Sequence, residues 1–218
     1  VSFLFNQSGI KPENIRRTII SSVVPPMVTI LDSFCRKYIG YPPLWVNPAS
    51  YKGMPIHYKN PGDVGADRIV NAVAAYRKYR QSLIIIDFGT ATTFDSISPD
   101  GEYLGGAISP GITISAEALF QKASKLPRVE LFLPPKTVIG IDTTGSIQSG
   151  IIYGYAGLVD GMVRRMAREM DTSPKVIATG GLAELLNNVS ETIEAVEPLL
   201  TLDGLRIIAA EMGQEQGI

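Results

Sequence analysis

The chain has 218 residues, 45% hydrophobic and 19% charged, with 20 Lys and Arg against 21 Asp and Glu for a formal net charge of −1. That is enough apolar sequence for one large domain or two small lobes with a real core, and the balanced charge excludes disorder and a uniformly basic nucleic-acid face. The lone Cys35 and lone His57 exclude an internal disulfide framework, a structural zinc site and a histidine-based metal centre.

Strand-like and helix-like segments alternate along the chain. Residues 17–24 are rich in β-branched side chains and stop at Pro25-Pro26, so a strand leading into a helix over 28–38 is expected. Residues 42–62 hold five prolines and two glycines, a long connection with a short strand over 44–46. Helical spacing of Ile69, Val70, Val73 and Ala74 predicts a helix over 65–79 with Asp67 in its first turn. Residues 82–88 form an apolar run ending in an acid, the profile of a buried central strand. Strands over 91–97 and 102–108 flank a Pro99-Asp100-Gly101 turn. Helices are expected over 111–125, 146–170, 182–186 and 202–212, with strands over 175–178 and 192–196. This is a mixed α/β chain whose halves meet near Ser82. Cys35 is expected as a buried helix residue and His57 as a loop residue. Apolar runs such as 83–86 fall far short of the roughly 18 residues of a membrane span, and a reducing cytoplasm with no membrane partner is the natural expectation. Because the chain opens on Val1 without a signal-like stretch, its natural start is expected upstream.

Three places carry candidate chemistry. Asp87-Phe88-Gly89-Thr90 is an acid at a strand end running into a tight turn: Gly89 lets backbone amides approach a phosphate, Thr90 adds a donor, and Asp87 could hold a cation. An ordinary hairpin entry explains it equally well. Thr179-Gly180-Gly181 ends another strand, where flat backbone could face an adenosine ring, although a plain strand-to-helix turn needs the same residues. Gly65-Ala66-Asp67-Arg68 opens a helix whose dipole favours anions. Asp67 could accept a proton from a substrate hydroxyl during phosphoryl transfer and Arg68 could fork a substrate carboxylate. The bland alternative is a helix-stabilising Asp beside a surface Arg pair. Asp142-Thr143 reads as the cap of the long helix, and Gly157 and Gly161 as sites of close helix packing.

Taken in order, Tyr58-x-Asn60-Pro61, Gly65-Ala66-Asp67-Arg68, Asp87-Phe88-Gly89-Thr90-Ala91-Thr92, Gly105-Gly106-x-Ile108-x-Pro110-Gly111, Ile139-Gly140-x-Asp142-Thr143, Ile147-Gln148-Ser149-Gly150, Gly157-x-Val159-Asp160-Gly161 and Thr179-Gly180-Gly181 resemble the type III pantothenate kinase family. The resemblance implies two ribonuclease H-like, actin-like lobes around a nucleotide cleft, within the superfamily of acetate and sugar kinases, Hsp70 and actin. The expected division is a first lobe over 1–81 with the pantothenate motif and a second over 82–218 with the ATP and cation motifs. It implies ATP-dependent phosphorylation of pantothenate to 4'-phosphopantothenate, the first step of coenzyme A synthesis. By motif, Asp67 is the catalytic proton acceptor, and Tyr58, Gly65, Ala66, Arg68 and Thr143 join it in binding pantothenate, Thr143 from across a homodimer interface. Thr90 would contact ATP, Asp87 would hold potassium or ammonium, and Mg2+ would accompany the nucleotide.

Two departures stand out. Asp142 occupies a position where the family usually has Asn, and no Asp-x-Gly-Asn-Thr phosphate loop precedes Arg17. The alternatives are a non-catalytic transcription-accessory protein on the same scaffold and a related kinase for another hydroxy acid.

Overall fold

The structure, a computed structural model, describes residues 2–123, 125–131 and 133–215. Its centre is β3 (Leu83–Phe88), whose apolar run is buried on both faces. Alternation along the strand sends Leu83 and Ile85 into one core and Ile84, Ile86 and Phe88 into the other. β4 (Ala91–Ile97) and β5 (Tyr103–Pro110) continue from β3 as an antiparallel meander around Gly101, which takes φ +86°. β6 (Lys175–Gly180) lies parallel to β3 on its other side, followed by β7 (Ala195–Val196), so the sheet order is β5-β4-β3-β6-β7.

Helices cover both faces. α3 (Ala66–Tyr79) packs with α7 (Leu200–Glu215) over the face that carries Leu83, Ile85, Ile97 and Ile177. On the other face, α5 (Thr143–Met170) and the short α6 (Ala183–Asn187) bury Ile152, Val159 and Leu186 against Ile84, Ile86 and Phe94, with α4 (Ile112–Lys122) beside them. This is an α/β, actin-like architecture, and the sheet is a complete ribonuclease H-like one.

Ahead of it, α1 (Ser2–Gln7) leads to β1 (Ile19–Ile20), α2 (Pro25–Tyr38) and β2 (Leu44–Trp45), a parallel strand pair joined by a helix, in which Cys35 is buried. The strand expected over 17–24 pairs only at Ile19 and Ile20. A border at residue 82 falls between α3 and the sheet it packs on.

One irregularity matters later. Ser96 pairs with Gly105 but Ile97 pairs with Tyr103, so Leu104 is an extra residue, a β-bulge. The skipped residue turns Tyr103 to the α3 face, where Ile97 also lies.

Candidate active site

The carboxyl ends of the parallel strands β3 and β6 lie side by side, Asp87 opposite Thr179 and Phe88 opposite Gly180. Strand ends of this kind are where α/β folds present ligand groups. Asp87 has the same parity as Leu83 and Ile85, so it faces α3, and there Asn71 Nδ2 donates to Asp87 Oδ2 at 3.0 Å. Asn71 is itself buried and accepts from Thr201 Oγ1 of α7 at 2.7 Å, so two helices fix the acid. Burial raises the Asp87 pKa above the ordinary carboxylate value; the Asn71 hydrogen bond opposes this and the charge of Asp67 adds to it. Asp67 and Asp87 are therefore electrostatic neighbours at one site.

Close approach at this point requires glycine. Gly180 takes φ +93°, and a Cβ on it would lie 2.6 Å from the Phe88 carbonyl and 2.7 Å from Asp87 Oδ1. Gly65 caps α3, and a Cβ there would come within 2.6 Å of Asp67 Oδ1, which accepts from the Arg68 amide at 2.8 Å. Half-buried Asp67 thus sits in the first turn of α3 beside a backbone that leaves it room. Thr90 is exposed in the Gly89-Thr90 turn, which abuts the start of α4: a Cβ on Gly111 would fall 2.2 Å from the Thr90 carbonyl.

Arg68 departs from the expectation of either a free fork or a surface pair. It is buried, its Nε donates to Asp95 Oδ1 at 2.7 Å, and its Nη2 reaches the Phe94 carbonyl at 3.4 Å. Asp95 also accepts from Tyr103 Oη at 2.7 Å and from Thr93 Oγ1 at 3.2 Å, while Arg68 lies 5.8 Å from the centre of the Tyr103 ring. Burial disfavours the Arg68 charge, but Asp95 outweighs it and holds the guanidinium above its ordinary value. Burial pushes Asp95 up to about 6, against the pull of Arg68 and of the hydrogen bonds from Tyr103, Arg68 and Thr93. Removing one partner of such a buried pair costs about 3–5 kcal/mol. Tyr58 lies over this cluster, 39% exposed, its ring 3.8 Å from where a Gly105 Cβ would stand. Ala66 contributes its methyl to the core, which leaves its main chain as the part able to meet a ligand.

Thr143 is not with them. It opens α5 on a broad groove of about 760 Å³ lined by Leu119, Leu126, Gly140, Asp142 and Ile147, none of which belongs to the Asp67 cluster. Asp142 is the cap of α5, accepting from the Gly145 amide at 2.8 Å, so its carboxylate is engaged by its own helix. Neighbouring Ile139 and Ile141 are 82% and 98% exposed, and Cβ atoms on Gly150, Gly154 and Gly157 would meet nothing within 4 Å.

Sequence reasoning passed over Asn71, Asp95, Tyr103 and Thr201. Asn71 stands four residues after Asp67, one helical turn away, a spacing that could have flagged it. Asp95 shares its strand face with Thr93.

Among the described residues no group of three or more His, Cys, Asp or Glu side chains is placed to hold a metal ion. A single half-buried carboxylate with one oxygen hydrogen-bonded, beside the Gly89-Thr90 backbone, fits a cation that takes its remaining ligands from water, main chain and phosphate. It does not fit a dedicated all-protein cage. No helix among the described residues is long and apolar enough to cross a membrane.

Comparison with known proteins finds relatives in sequence and in fold. The profile of type III pantothenate kinase matches residues 1–165. The chain is 67% identical over 207 residues to the type III pantothenate kinase of Desulfatibacillum aliphaticivorans, covering 95% of this chain and 80% of that protein. It is 66% identical over 207 residues to the one of Desulforapulum autotrophicum, covering 94% and 79%. A crystal structure from Campylobacter jejuni, described as a Baf family transcriptional activator, superposes with a TM-score of 0.61 at 22% identity over 96% of this chain and 89% of that one, which shows the shared fold. The chain belongs to the type III pantothenate kinase family.

Proposed function

We propose that the protein transfers the γ-phosphoryl group of ATP to the terminal hydroxyl of pantothenate, giving ADP and 4'-phosphopantothenate, the entry to coenzyme A synthesis. Family membership carries this reading, and the pairing of Asp67 with Asp87 at adjoining strand and helix ends supports it. The substrate hydroxyl attacks the γ-phosphorus, its proton passes to Asp67 Oδ, and the bond from phosphorus to the bridging oxygen of ADP breaks. A loose transition state asks little of the base, so a carboxylate suffices and most of the rate comes from positioning. Arg68 meets the pantothenate carboxylate, with Tyr58, Gly65 and the Ala66 main chain beside it, and Thr90 contacts ATP.

Asp87 holds potassium or ammonium, and Mg2+ travels with the nucleotide; these ions offset phosphate charge when bound. Thr143 reaches a pantothenate site from a second copy of the chain, and the open glycine face of α5 and the exposed Ile139 and Ile141 favour such a homodimer. In the same reading, residues 82–218 form the nucleotide lobe, α3 rests on it from the first lobe, and the enzyme works in the cytoplasm.

The test is direct. Full-length protein incubated with ATP, pantothenate, Mg2+ and K+ yields 4'-phosphopantothenate; product formation stops without Mg2+ and slows when Na+ replaces K+. Folded protein that forms no product rejects the reading.

A further inference from the structure

Arg68 has its guanidinium partly committed before any substrate arrives. Nε is taken by Asp95 and Nη2 by the Phe94 carbonyl, while Nη1 makes no hydrogen bond among the described residues. The side chain is only 7% exposed, so it cannot swing to find a ligand. What holds it is a built arrangement: Asp95 is 0% exposed and takes a second donor, Tyr103 Oη, and a third, Thr93 Oγ1. Two features of the chain shape it. The bulge at Leu104 turns Tyr103 to the α3 side, the register sets Gly106 opposite Asp95, and a Cβ on Gly106 would lie 2.8 Å from Arg68 Nη2 and 1.7 Å from the Phe94 carbonyl. A pair of charges whose only task was to hold α3 against β4 would not call for this, since apolar side chains do that equally well.

We propose that Asp95 is a positioning residue: with Tyr103 it clamps the Nε side of Arg68, so that the Nη1 side faces the carboxylate of the acceptor substrate. The proposal rests on the reading of Arg68 as the carboxylate contact. It makes discrimination for an acidic acceptor a property of Asp95, a residue outside the binding motifs, acting through Arg68. Asp67, next along the helix, handles the hydroxyl end, so adjacent residues address the two ends of one molecule.

The test compares pantothenate with pantothenol, in which a hydroxymethyl group replaces the carboxylate, in the purified full-length enzyme. Wild-type protein prefers pantothenate in kcat/KM. Arg68→Ala abolishes that preference, and Asp95→Asn, which keeps the shape and hydrogen-bonding capacity but removes the charge, lowers it about tenfold or more, the scale of a charged hydrogen bond. The loss falls on KM for pantothenate, with KM for ATP unmoved. Tyr103→Phe, which removes one donor to Asp95 and keeps the ring, lowers the preference about threefold and decides the matter should Asp95→Asn not fold. An Asp95→Asn or Tyr103→Phe enzyme that retains the wild-type preference, or that loses kcat equally on both substrates, overturns the proposal. Wild-type protein that phosphorylates neither compound defeats the kinase reading instead, and a wild-type enzyme with no preference defeats the role of Arg68.

Discussion

The two ends of the expected substrate site are built in opposite ways. Around Asp67 and Asp87 a run of side-chain hydrogen bonds links the elements: Asn71 is held by Thr201, Asp87 by Asn71, Arg68 by Asp95, Asp95 by Tyr103. Around Thr143 apolar side chains stand open beside the Asp142 cap, with Ile139 82% and Ile141 98% exposed. A preorganised polar cluster is what phosphoryl transfer needs, because reorganisation at the moment of reaction would raise the barrier. An open apolar rim is instead the kind of surface that a partner covers. In the proposed reading the chemistry is supplied within one chain, and the enclosure of the substrate between chains.

This contrast can be broken most severely at Asp67. Asp67→Asn is expected to lower kcat by about 10²–10⁴-fold with ATP binding largely retained, because only the proton acceptor is lost. Single-turnover rates and nucleotide titration measure it, and a variant with near-normal turnover removes Asp67 from the mechanism.

The Thr143 side calls for a test across subunits. Thr143→Ala is expected to raise KM for pantothenate about tenfold, the loss of one hydrogen bond in a closed site. When the Thr143→Ala and Asp67→Asn proteins are mixed and allowed to exchange subunits, activity returns in the hybrid, in which one site receives both intact residues. Mixing without recovery places Thr143 in its own chain's site or in none.

The smallest effect is a pH dependence. As pH falls through about 6, Asp95 takes up a proton in the folded protein and Arg68 loses its charged partner, so KM for pantothenate rises on the acid side. The groups facing Asp95 are Arg68 from α3, Tyr103 from β5 and Thr93 on its own strand; burial and then Asp95 push Tyr103 well above its ordinary value, so it stays neutral throughout. The sign for stability is opposite. Because the folded-state value is raised, the ionised group weighs against folding above about 6, and its penalty fades as pH falls towards the unfolded value. Thermal melts and KM measured over the same range should diverge for wild-type protein, and Asp95→Asn should flatten both.

Much of the fold was legible in the sequence because each element carries its own period. The apolar run of β3, the helical spacing of α3 and the Pro99-Asp100-Gly101 turn all stand where local physics put them. The strand expected over 17–24 shrank to Ile19–Ile20, since length in a strand depends on a paired neighbour and not on β-branched content. At the site, acid and glycine at strand ends pointed to Asp87 and Gly180, and a glycine ahead of a helix start to Asp67. Asp95 and Tyr103 were not legible: an acid inside a strand looks solvent-facing until the sheet register shows which helix it meets. Asp142, which stands where the family usually has Asn, caps its own helix as its place ahead of α5 suggested.

The bulge in β5 has a consequence for how this chain tolerates change. Leu104 is 38% exposed, so its side chain can be exchanged for many others. Its backbone is another matter: as the extra residue it lets Tyr103 pair with Ile97 and reach Asp95, whereas pairing Leu104 itself with Ile97 would carry Tyr103 to the opposite face. Leu104 is therefore a spacer, a position where substitutions drift freely while a change that straightens the strand at constant length is selected against.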